Sequence, residues 1–477
     1  MATAERQLRR ARSAAAAISA CAGLLAACGG GSSATSVAAD PLVTSEADSI
    51  LHMDQVRAAG FRGAGVRVGV ISTGVYNLAA YQAAGALPSS IYVAGDTRGT
   101  LDEGSWMLEL VHQHAPDAVL GFCDGLDLEF AACLRDLAVN FRADVIVDDM
   151  LFAGQFYPDG TAVLMSELEA ANDRLVFVHL AGNEQAGGYW QGPFVPVMIS
   201  LGGKERTALD FGMASGGSSD PYQSVMLPAE TQLTLIVNWN DPPHGPSNRA
   251  LSGYLLDASG KILAQASAQN TPALVLTYRN ELPAAQSIQL AVALDGGGAA
   301  AGLAVQVTEG ADICNVHCEA MSYASTGLAG GTVGDLPDAL VVGATEPRAP
   351  RVLERWSNHG PFRFDFQADD PGAANTSAYQ RLPVPLAIAK PDLVAPDCVT
   401  VAFSDGASLV YGPFCGTSAA VPAIAAAAAL LESAGFDRTR VLKSLRATAQ
   451  PLGSNRWDPA YGYGLADVAA AWRNGGR

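Results

Sequence analysis

The chain has 477 residues, of which 49% are hydrophobic and 16% are charged, and its formal net charge at pH 7 is −18. This length predicts more than one folded unit, since single domains usually contain ~100–200 residues. No basic run or basic–aromatic patch follows the first residues, so nucleic acid is excluded as an expected partner. We attribute the acidity to solubility.

The first residues have the features of an export signal. A basic stretch with four arginines, residues 6–12, precedes an apolar run, and Leu25-Ala-Ala-Cys28 resembles the lipobox of bacterial lipoproteins. Residues 1–28 are therefore predicted to be a signal peptide whose Cys28 becomes a lipidated N-terminus, and the Gly/Ser/Ala-rich residues 29–45 a flexible tether. A cleaved secretory signal with an incidental cysteine is the alternative, and the apolar run is too short for a transmembrane anchor.

The residue after Cys28 bears on localisation. It is Gly29, whereas an aspartate there would resemble an inner-membrane retention signal. We therefore expect an outer-membrane or cell-surface lipoprotein of a bacterium, with the lipid as its only membrane contact.

From residue 65 to residue 202, apolar runs typical of buried strands alternate with helical segments. Strands are predicted at 66–71, 118–123, 144–148 and 175–180, and helices at 102–114, 127–138 and 161–173. This alternation favours an α/β fold with a parallel sheet and helices on both faces. In such a sheet, ligands bind at the carboxyl ends of the strands.

Between about residues 209 and 309 the pattern changes to short β-type runs separated by turn residues, at 233–239, 252–257, 273–278 and 287–293. These runs predict an inserted antiparallel β-sandwich of jelly-roll type. We assign residues 46–205 to the first half of the α/β domain, 206–310 to the sandwich and 311–477 to the second half. The sandwich is either a substrate- or glycan-binding module or a structural cover.

Six cysteines remain after the leader, and an even number in an exported protein suggests disulfides. Proximity in sequence would pair Cys123 with Cys133, Cys314 with Cys318, and Cys398 with Cys415, although six cysteines permit fifteen connectivities. A zinc site at residues 314–318 is disfavoured because no second ligand pair follows.

The segment Phe414-Cys-Gly-Thr-Ser-Ala-Ala-Val-Pro422 presents a serine at the start of an apolar helix. Unpaired backbone N–H groups and the positive end of the helix dipole there can stabilise negative charge on a bound acyl oxygen. Ser418 is therefore the candidate nucleophile, and Gly416 lets the backbone approach a substrate closely.

This segment resembles the nucleophile motif of subtilases, the subtilisin-like serine peptidases. Further segments resemble the family in order and spacing: Ala339-Leu-Val-Val-Gly-Ala344, Ser357-Asn-His-Gly-Pro361, Lys390-Pro-Asp-Leu-Val-Ala-Pro396 and Tyr461-Gly-Tyr-Gly-Leu-Ala-Asp467. The resemblance implies a subtilisin-like parallel sheet flanked by helices. It also implies that Asn183, in Ala181-Gly-Asn183, is the side-chain donor to the oxyanion of the tetrahedral intermediate.

The rest of the catalytic set departs from the family. Ser72 and Thr73 stand where subtilases place the aspartate that orients their histidine, and Glu103 stands at the histidine position. Glu103 precedes Pro116 by thirteen residues, the spacing at which the related sedolisins carry a glutamate base. The resemblance therefore implies Glu103 as the general base, but Met107 occupies the position of the second sedolisin carboxylate. A carboxylate base predicts a pH optimum distinctly below neutral.

Several residues are candidates to support Glu103. Asp148 and Asp149 end a predicted strand, so that one of them is expected to face the site, with Asp149 preferred; ordinary turn residues are the alternative. Asp102 is expected to be a structural helix cap. His179 and His359 are expected to be hydrogen-bonded structural histidines rather than bases.

Two functions from different classes follow. The first is a membrane-tethered serine endopeptidase that cleaves peptide or protein substrates through an acyl-enzyme, with Ser418, Glu103, Asn183 and Asp149 as its site. The second is an inactive subtilase-fold binding or adhesion lipoprotein, because the family's aspartate and histidine are lost. We expect no cofactor; calcium is common among subtilases, but no motif here supports a calcium site.

Overall fold

The computed structural model describes residues 44–126, 129–150, 161–184, 188–241, 249–268, 272–296, 302–310, 321–323, 338–368, 379–404, 406, 408–454 and 456–474. We number the strands β1–β21 and the helices α1–α10 along the chain. The predicted signal peptide and nearly all of the predicted tether lie outside the described residues. Within the ranges given, no helix is both long enough and apolar enough to cross a membrane.

The centre of the molecule is a sheet of seven strands, all parallel, in the order β19-β16-β5-β4-β1-β3-β2. Its strands are β1 (Arg67–Ser72), β2 (Tyr92–Val93), β3 (Val119–Asp124), β4 (Val145–Asp148), β5 (Val176–Leu180), β16 (Leu340–Thr345) and β19 (Leu393–Pro396). The strands predicted from residue 66 to residue 180 are confirmed to within one residue. Their buried runs, such as Val145–Asp148, are typical of parallel strands covered on both faces.

Ten α-helices accompany the sheets in the part of the chain that the structure describes. They are α1 (Ala47–Ile50), α2 (Met53–Ala58), α3 (Leu78–Ala83), α4 (Glu103–His114), α5 (Phe130–Arg135), α6 (Thr161–Ala171), α7 (Phe211–Ala214), α8 (Thr417–Ser433), α9 (Arg438–Thr448) and α10 (Val468–Asn474). A short 3-10 helix, Ala94–Asp96, follows β2, and a π turn, Asp136–Asn140, continues α5.

Helix α8 runs through the main hydrophobic core. Every residue from Thr417 to Glu432 is buried, as expected for a helix that is apolar on all sides. It packs against α4 and against β4, β5 and β16 of the sheet. The run of alanines lets these elements approach closely, and so fixes the start of α8 relative to the carboxyl ends of the strands.

The inserted domain is a sandwich of two antiparallel sheets. One has the order β13-β10-β15-β6, and the other has the order β12-β11-β14-β8-β7 with β9 also paired to β14. Their bounds are β6 (Tyr189–Gly192), β7 (Pro196–Leu201), β8 (Lys204–Leu209), β9 (Gln223–Leu227), β10 (Gln232–Trp239), β11 (Ala250–Leu256), β12 (Ile262–Ala268), β13 (Ala273–Arg279), β14 (Gln286–Gly296) and β15 (Leu303–Gly310). A separate hydrophobic core between the sheets contains Trp190, Leu235 and Trp239.

Strands β6 and β7 of these sheets lie before residue 206, where the sequence predicted the sandwich to begin. Strand β6 pairs with β15, Leu303 opposite Gly192, and β7 pairs with β8, which in turn pairs with β14. The sandwich therefore begins at Tyr189. The sequence did not reveal this, because β6 is short and its partner strand lies more than 100 residues further along the chain.

Two hairpins were not predicted. The first joins β17 (Phe362–Ala368) to β18 (Tyr379–Ile388), and the second joins β20 (Val399–Ser404) to β21 (Leu409–Phe414). The second hairpin leads directly into the start of α8.

Two of the disulfides suggested by sequence proximity are present. Cys123 is bonded to Cys133 with an S–S distance of 2.08 Å, and Cys398 to Cys415 with an S–S distance of 2.10 Å. The suggested third pair, within residues 314–318, lies outside the described residues.

Glu109 on α4 is a carboxyl group inside the core. Its side chain accepts hydrogen bonds from the Ala402 N–H at 3.0 Å and from Gln113 Nε2 at 2.9 Å, and the residue is only 2% exposed. Burial, which disfavours the charged form, raises its pKa to about 7 although both hydrogen bonds act in the opposite direction.

The raised pKa of Glu109 predicts a stability that falls as the pH rises. The contribution is fully present below the pKa of the unfolded chain, near 4.5, and is lost as the pH rises through about 7. At about 1.4 kcal/mol per pKa unit, the loss amounts to about 3 kcal/mol at most. Urea unfolding from about pH 4 to about pH 8 should therefore show a shallower decline for Glu109→Gln than for the native chain. The exposed substitution Glu205→Gln is the control, and equal slopes for all three proteins would contradict the assignment.

Candidate active site

The predicted site residues meet at the carboxyl edge of the parallel sheet. Ser418 lies in the first turn of α8, Glu103 is the first residue of α4, and Asp149 and Asn183 follow β4 and β5. Distant parts of the chain are thus brought to one end of the sheet, as expected for an open α/β fold.

The nucleophile loop positions Ser418 at the start of α8. Gly416 caps the helix with φ of 97°, in the left-handed region that favours glycine. A Cβ atom at this position would lie 3.2 Å from the Asn183 Nδ2 atom, so only glycine lets the loop approach Asn183 this closely. Ser418 itself is 5% exposed.

Asn183 is held by the residue next to Ser418. Its Oδ1 atom accepts hydrogen bonds from the Thr417 N–H and from the Thr417 hydroxyl, both at 2.9 Å. Because Oδ1 is engaged in this way, the amide NH₂ group lies beside Gly416 at the start of α8. It can therefore donate to an oxyanion bound there.

Glu103 lies against the nucleophile. Its buried carboxyl group, 3% exposed, lies beside the side chains of Ser418 and Asp149, and both influence its pKa. The Thr73 hydroxyl donates to Glu103 Oε2 at 3.1 Å. Gly104 permits this placement, because a Cβ atom there would lie 2.3 Å from the Phe122 ring.

Asp149 lies beside Ser72, at the end of the strand next to β1. Strands β1 and β4 are parallel neighbours with Ile71 opposite Asp148, so the next residues of the two strands also adjoin. The Ser72 hydroxyl donates to Asp149 Oδ2 at 3.1 Å. These contacts of Ser72 and Thr73 were not predicted from the sequence, although their position at the end of β1, beside the strand that leads into Asp149, was a signal for them.

Burial determines the protonation of this pair. It raises the pKa of Glu103 well above its usual range, and the adjacent Asp149 carboxylate raises it further. Burial also raises the pKa of Asp149 to about 7, with a smaller contribution from Asp148. Two carboxyl groups in contact cannot both ionise readily in a site without bulk water, so they share a proton.

Asp148 does not join this pair. His179 Nδ1 lies 2.9 Å from Asp148 Oδ1 and 3.0 Å from Asp148 Oδ2, and His179 stands opposite Asp148 on β5. Side chains alternate between the two faces of a strand, so Asp148 and Asp149 point to opposite sides of the sheet. His179 is thus a hydrogen-bonded structural histidine, as expected, and His359 is half-buried with Asp458 as its charged neighbour.

Asp102 has a different role from the one expected. Its carboxylate makes no capping bond to α4. Instead it accepts hydrogen bonds from the Asn77 N–H at 2.7 Å and from Asn77 Nδ2 at 2.5 Å. The segment before α3 comes close enough to compete for the carboxylate, so Asp102 ties that segment to the start of α4.

A second pair of carboxyl groups supports the nucleophile loop from behind. The Gly416 N–H donates to Asp397 Oδ2 at 2.7 Å, and burial together with Glu354 raises the pKa of Asp397 well above its usual range. Oxygen atoms of Glu354 and Asp397 and the Cys398 sulfur lie within 4.8 Å of one another. Cys398 is in a disulfide and offers no thiolate, so this cluster gives calcium or another metal no specific ligand set.

Comparison with known proteins places these observations in a family. Residues 299–464 match the model of the subtilase family. The fold is similar to that of the CspB protease of Clostridium perfringens, at 13% identity and a TM-score of 0.51, covering 90% of this chain and 99% of that one. The fold also matches MycP1 from Mycobacterium smegmatis at 15% identity and a TM-score of 0.39, covering 91% of this chain and 86% of that one. No curated protein matches the sequence.

Residues 299–464 thus match the subtilase family, in agreement with the resemblance of the motifs in this part of the chain. The α/β architecture of the chain, with a parallel sheet flanked by helices and additional antiparallel sheets, is that of a subtilisin-like protease. The departures from the family pattern lie in the side chains at the carboxyl edge of the sheet.

Proposed function

We propose that the protein is a serine endopeptidase that uses Ser418 as nucleophile and the carboxyl pair Glu103–Asp149 as general base. The observation that carries this proposal is the placement of the buried Glu103 carboxyl group beside the side chains of Ser418 and Asp149, both of which influence its pKa. A nucleophile, its base and a group that orients the base are the minimum set for acyl transfer from a peptide.

The chemistry follows from the positions of these groups. Ser418 Oγ attacks the carbonyl carbon of the scissile peptide bond, and its proton passes to the Glu103–Asp149 pair. Asn183 Nδ2 and the N-terminal end of α8 stabilise the resulting oxyanion. Glu103 then protonates the leaving amine, and an acyl-enzyme remains on Ser418. Water attacks this ester and gives a proton to Glu103, which passes it to Ser418 Oγ as the carboxylic acid leaves, so that the serine and the carboxyl pair return to their starting states.

A carboxyl group can replace histidine here because its surroundings strengthen it as a base. An ordinary glutamate is a weak proton acceptor at neutral pH, but burial and the nearby negative charge raise its pKa and therefore its basicity. Thr73 and Ser72 donate hydrogen bonds that orient the two carboxyl groups. The pair thereby performs the work of a histidine and its orienting aspartate.

The role of Ser418 and Glu103 can be tested with a fluorophosphonate probe, which labels only an activated serine. The native chain should be labelled and should cleave a denatured protein substrate, and Ser418→Ala should do neither. Glu103→Gln removes the basicity but keeps the shape, so we expect labelling to slow by about 100-fold or more. Glu109→Gln on the same helix is the matched control and should be labelled at the native rate.

Absence of labelling in the folded native chain at every pH would contradict the peptidase assignment and favour an inactive subtilase-fold binding protein. Labelling without peptide cleavage would indicate an acyl hydrolase of another class on the same fold.

The role of Asp149 predicts a particular pH dependence. Activity requires the carboxyl pair to lose one proton. Because the pKa of Asp149 is about 7, this proton is lost at a higher pH than the acidic range expected for a carboxylate base. We therefore expect kcat/KM to rise with pH through about 7. Asp149→Asn removes the repulsion on Glu103, so the rise should move to lower pH while kcat falls by about tenfold or more. A fall in kcat with an unchanged pH profile would indicate that Asp149 only supports the structure.

We also propose that the protein is exported and held at a bacterial membrane surface by a lipid on Cys28. The lipobox-like sequence supports this proposal, and so do the disulfides Cys123–Cys133 and Cys398–Cys415, since such bonds persist in oxidising compartments.

The anchoring proposal predicts that Cys28→Ser moves the protein from the membrane fraction to the soluble fraction, because the lipid is its only proposed membrane contact. Cys21→Ser, in the leader but outside the lipobox, is the control and should stay with the membrane. Fractionation followed by immunoblotting measures both. Persistent membrane association of Cys28→Ser would overturn the proposal.

A further inference from the structure

A cleft of about 560 Å³ lies beside α9, and cationic side chains dominate its lining. Arg438, Lys443, Arg446 and Arg456 all contribute to its walls, and among the residues that the structure describes, Asp338 is the one carboxylate in the lining. A volume of this size is typical of small-molecule sites. The concentration of positive charge is unusual for a chain whose net charge is −18.

The cleft is remote from the candidate active site. Asp338 precedes β16, and Arg446 reaches Asp392, which precedes β19, so the cleft lies at the amino edge of the parallel sheet. The Ser418 site lies at the carboxyl edge. The six residues of β16 alone span ~20 Å between these edges, so a ligand in the cleft does not contact the nucleophile.

Two of the four cations are held in place. Arg446 Nε donates to Asp392 Oδ1 at 2.8 Å, and Arg438 pairs with Glu169 and lies 3.7 Å from Asp338. These ion pairs orient the two guanidinium groups, which lowers the entropy lost when a ligand binds beside them.

The other two cations are uncompensated. Lys443 and Arg456 are exposed, and neither forms an ion pair with any residue for which the structure gives a position. An anion in the cleft would meet these charges together with the two oriented guanidinium groups. The rest of the chain is acidic and repels anions, so the electrostatic potential favours anion binding in this cleft over other surfaces.

Apart from Thr439, the remaining lining is mostly apolar. Leu442 and Ala449 are buried at the base, and Ala447, Pro451 and the half-exposed Tyr463 complete the walls. Such a surface stabilises a hydrocarbon or aromatic group by removing it from water. The lining therefore suits a ligand with a charged head and an apolar body better than a bare inorganic anion.

We propose that this cleft binds small organic anions, with a carboxylate or phosphate head between Lys443 and Arg456 and an apolar body against Leu442. Arginine binds both head groups through paired N–H donors. The two head groups share this chemistry, and the experiment distinguishes them.

Isothermal titration calorimetry of the full chain with benzoate and with phenyl phosphate tests the proposal. We expect at least one of them to bind with a dissociation constant on the order of 1 mM, a normal affinity for a ligand of this size. Benzyl alcohol, which lacks the charge, and inorganic phosphate, which lacks the apolar body, should bind at least tenfold more weakly. The tighter of the two aromatic ligands identifies the preferred head group.

Charge reversal locates the site. Lys443→Glu/Arg456→Glu should weaken binding of the preferred ligand by more than tenfold, and the neutral pair Lys443→Met/Arg456→Met should weaken it less. The control is Lys204→Glu/Arg279→Glu, which changes two exposed cations of the sandwich by the same total charge. It should leave binding unchanged. Binding by neither aromatic anion, or equal loss in both charge-reversal variants, would overturn the proposal. Equal binding of inorganic phosphate and phenyl phosphate would overturn the role assigned to the apolar surface.

Discussion

The burial of α8 is the constraint on which the rest of the α/β domain depends. A helix that is buried from Thr417 to Glu432 cannot shift or rotate without opening cavities on every side. Its N-terminal end is therefore fixed relative to the sheet, and Ser418 is fixed with it. The hydrogen bond from Gly416 to Asp397 and the disulfide at Cys415 secure the loop that precedes the helix.

With Ser418 fixed in this way, the proposed chemistry depends on which carboxyl groups lie close to its hydroxyl group. The resemblance to subtilases implies an aspartate at the end of β1, where this chain has Ser72. The neighbouring parallel strand supplies Asp149 instead, and Ser72 becomes its hydrogen-bond donor. Adjacent parallel strands end at the same edge of a sheet, so a side chain on one strand can replace a side chain on the next. The site thus keeps a buried carboxyl group while its position in the sequence changes.

The sequence predicted those site residues that local patterns define. Ser418 at a helix start, Asn183 after a buried strand and Glu103 at the base position all come to the same edge of the sheet. The choice between Asp148 and Asp149 needed the structure, because alternation along a strand places them on opposite faces but does not say which face holds the site.

The features that the sequence did not reveal depend on contacts between distant residues. The start of the sandwich at Tyr189 follows from pairing with β15, more than 100 residues away. The carboxylate of Asp102 binds Asn77 rather than its own helix because tertiary packing brings that residue close. Neither hairpin interrupts a recognised motif, so the family resemblance gave no reason to expect them.

Two pairs of carboxyl groups flank the nucleophile loop, and both follow from the same physics. Glu103, with Asp149 beside it, lies next to Ser418 on one side, and Asp397, with Glu354 beside it, holds the Gly416 N–H on the other. Burial raises the pKa values in each pair, so each pair holds a proton that isolated carboxyl groups would lose. The loop is therefore surrounded by hydrogen-bonded acids rather than by repelling charges. The same shared protons keep the surrounding core from accumulating negative charge, so a buried cluster of carboxyl groups at this loop is compatible with a stable fold.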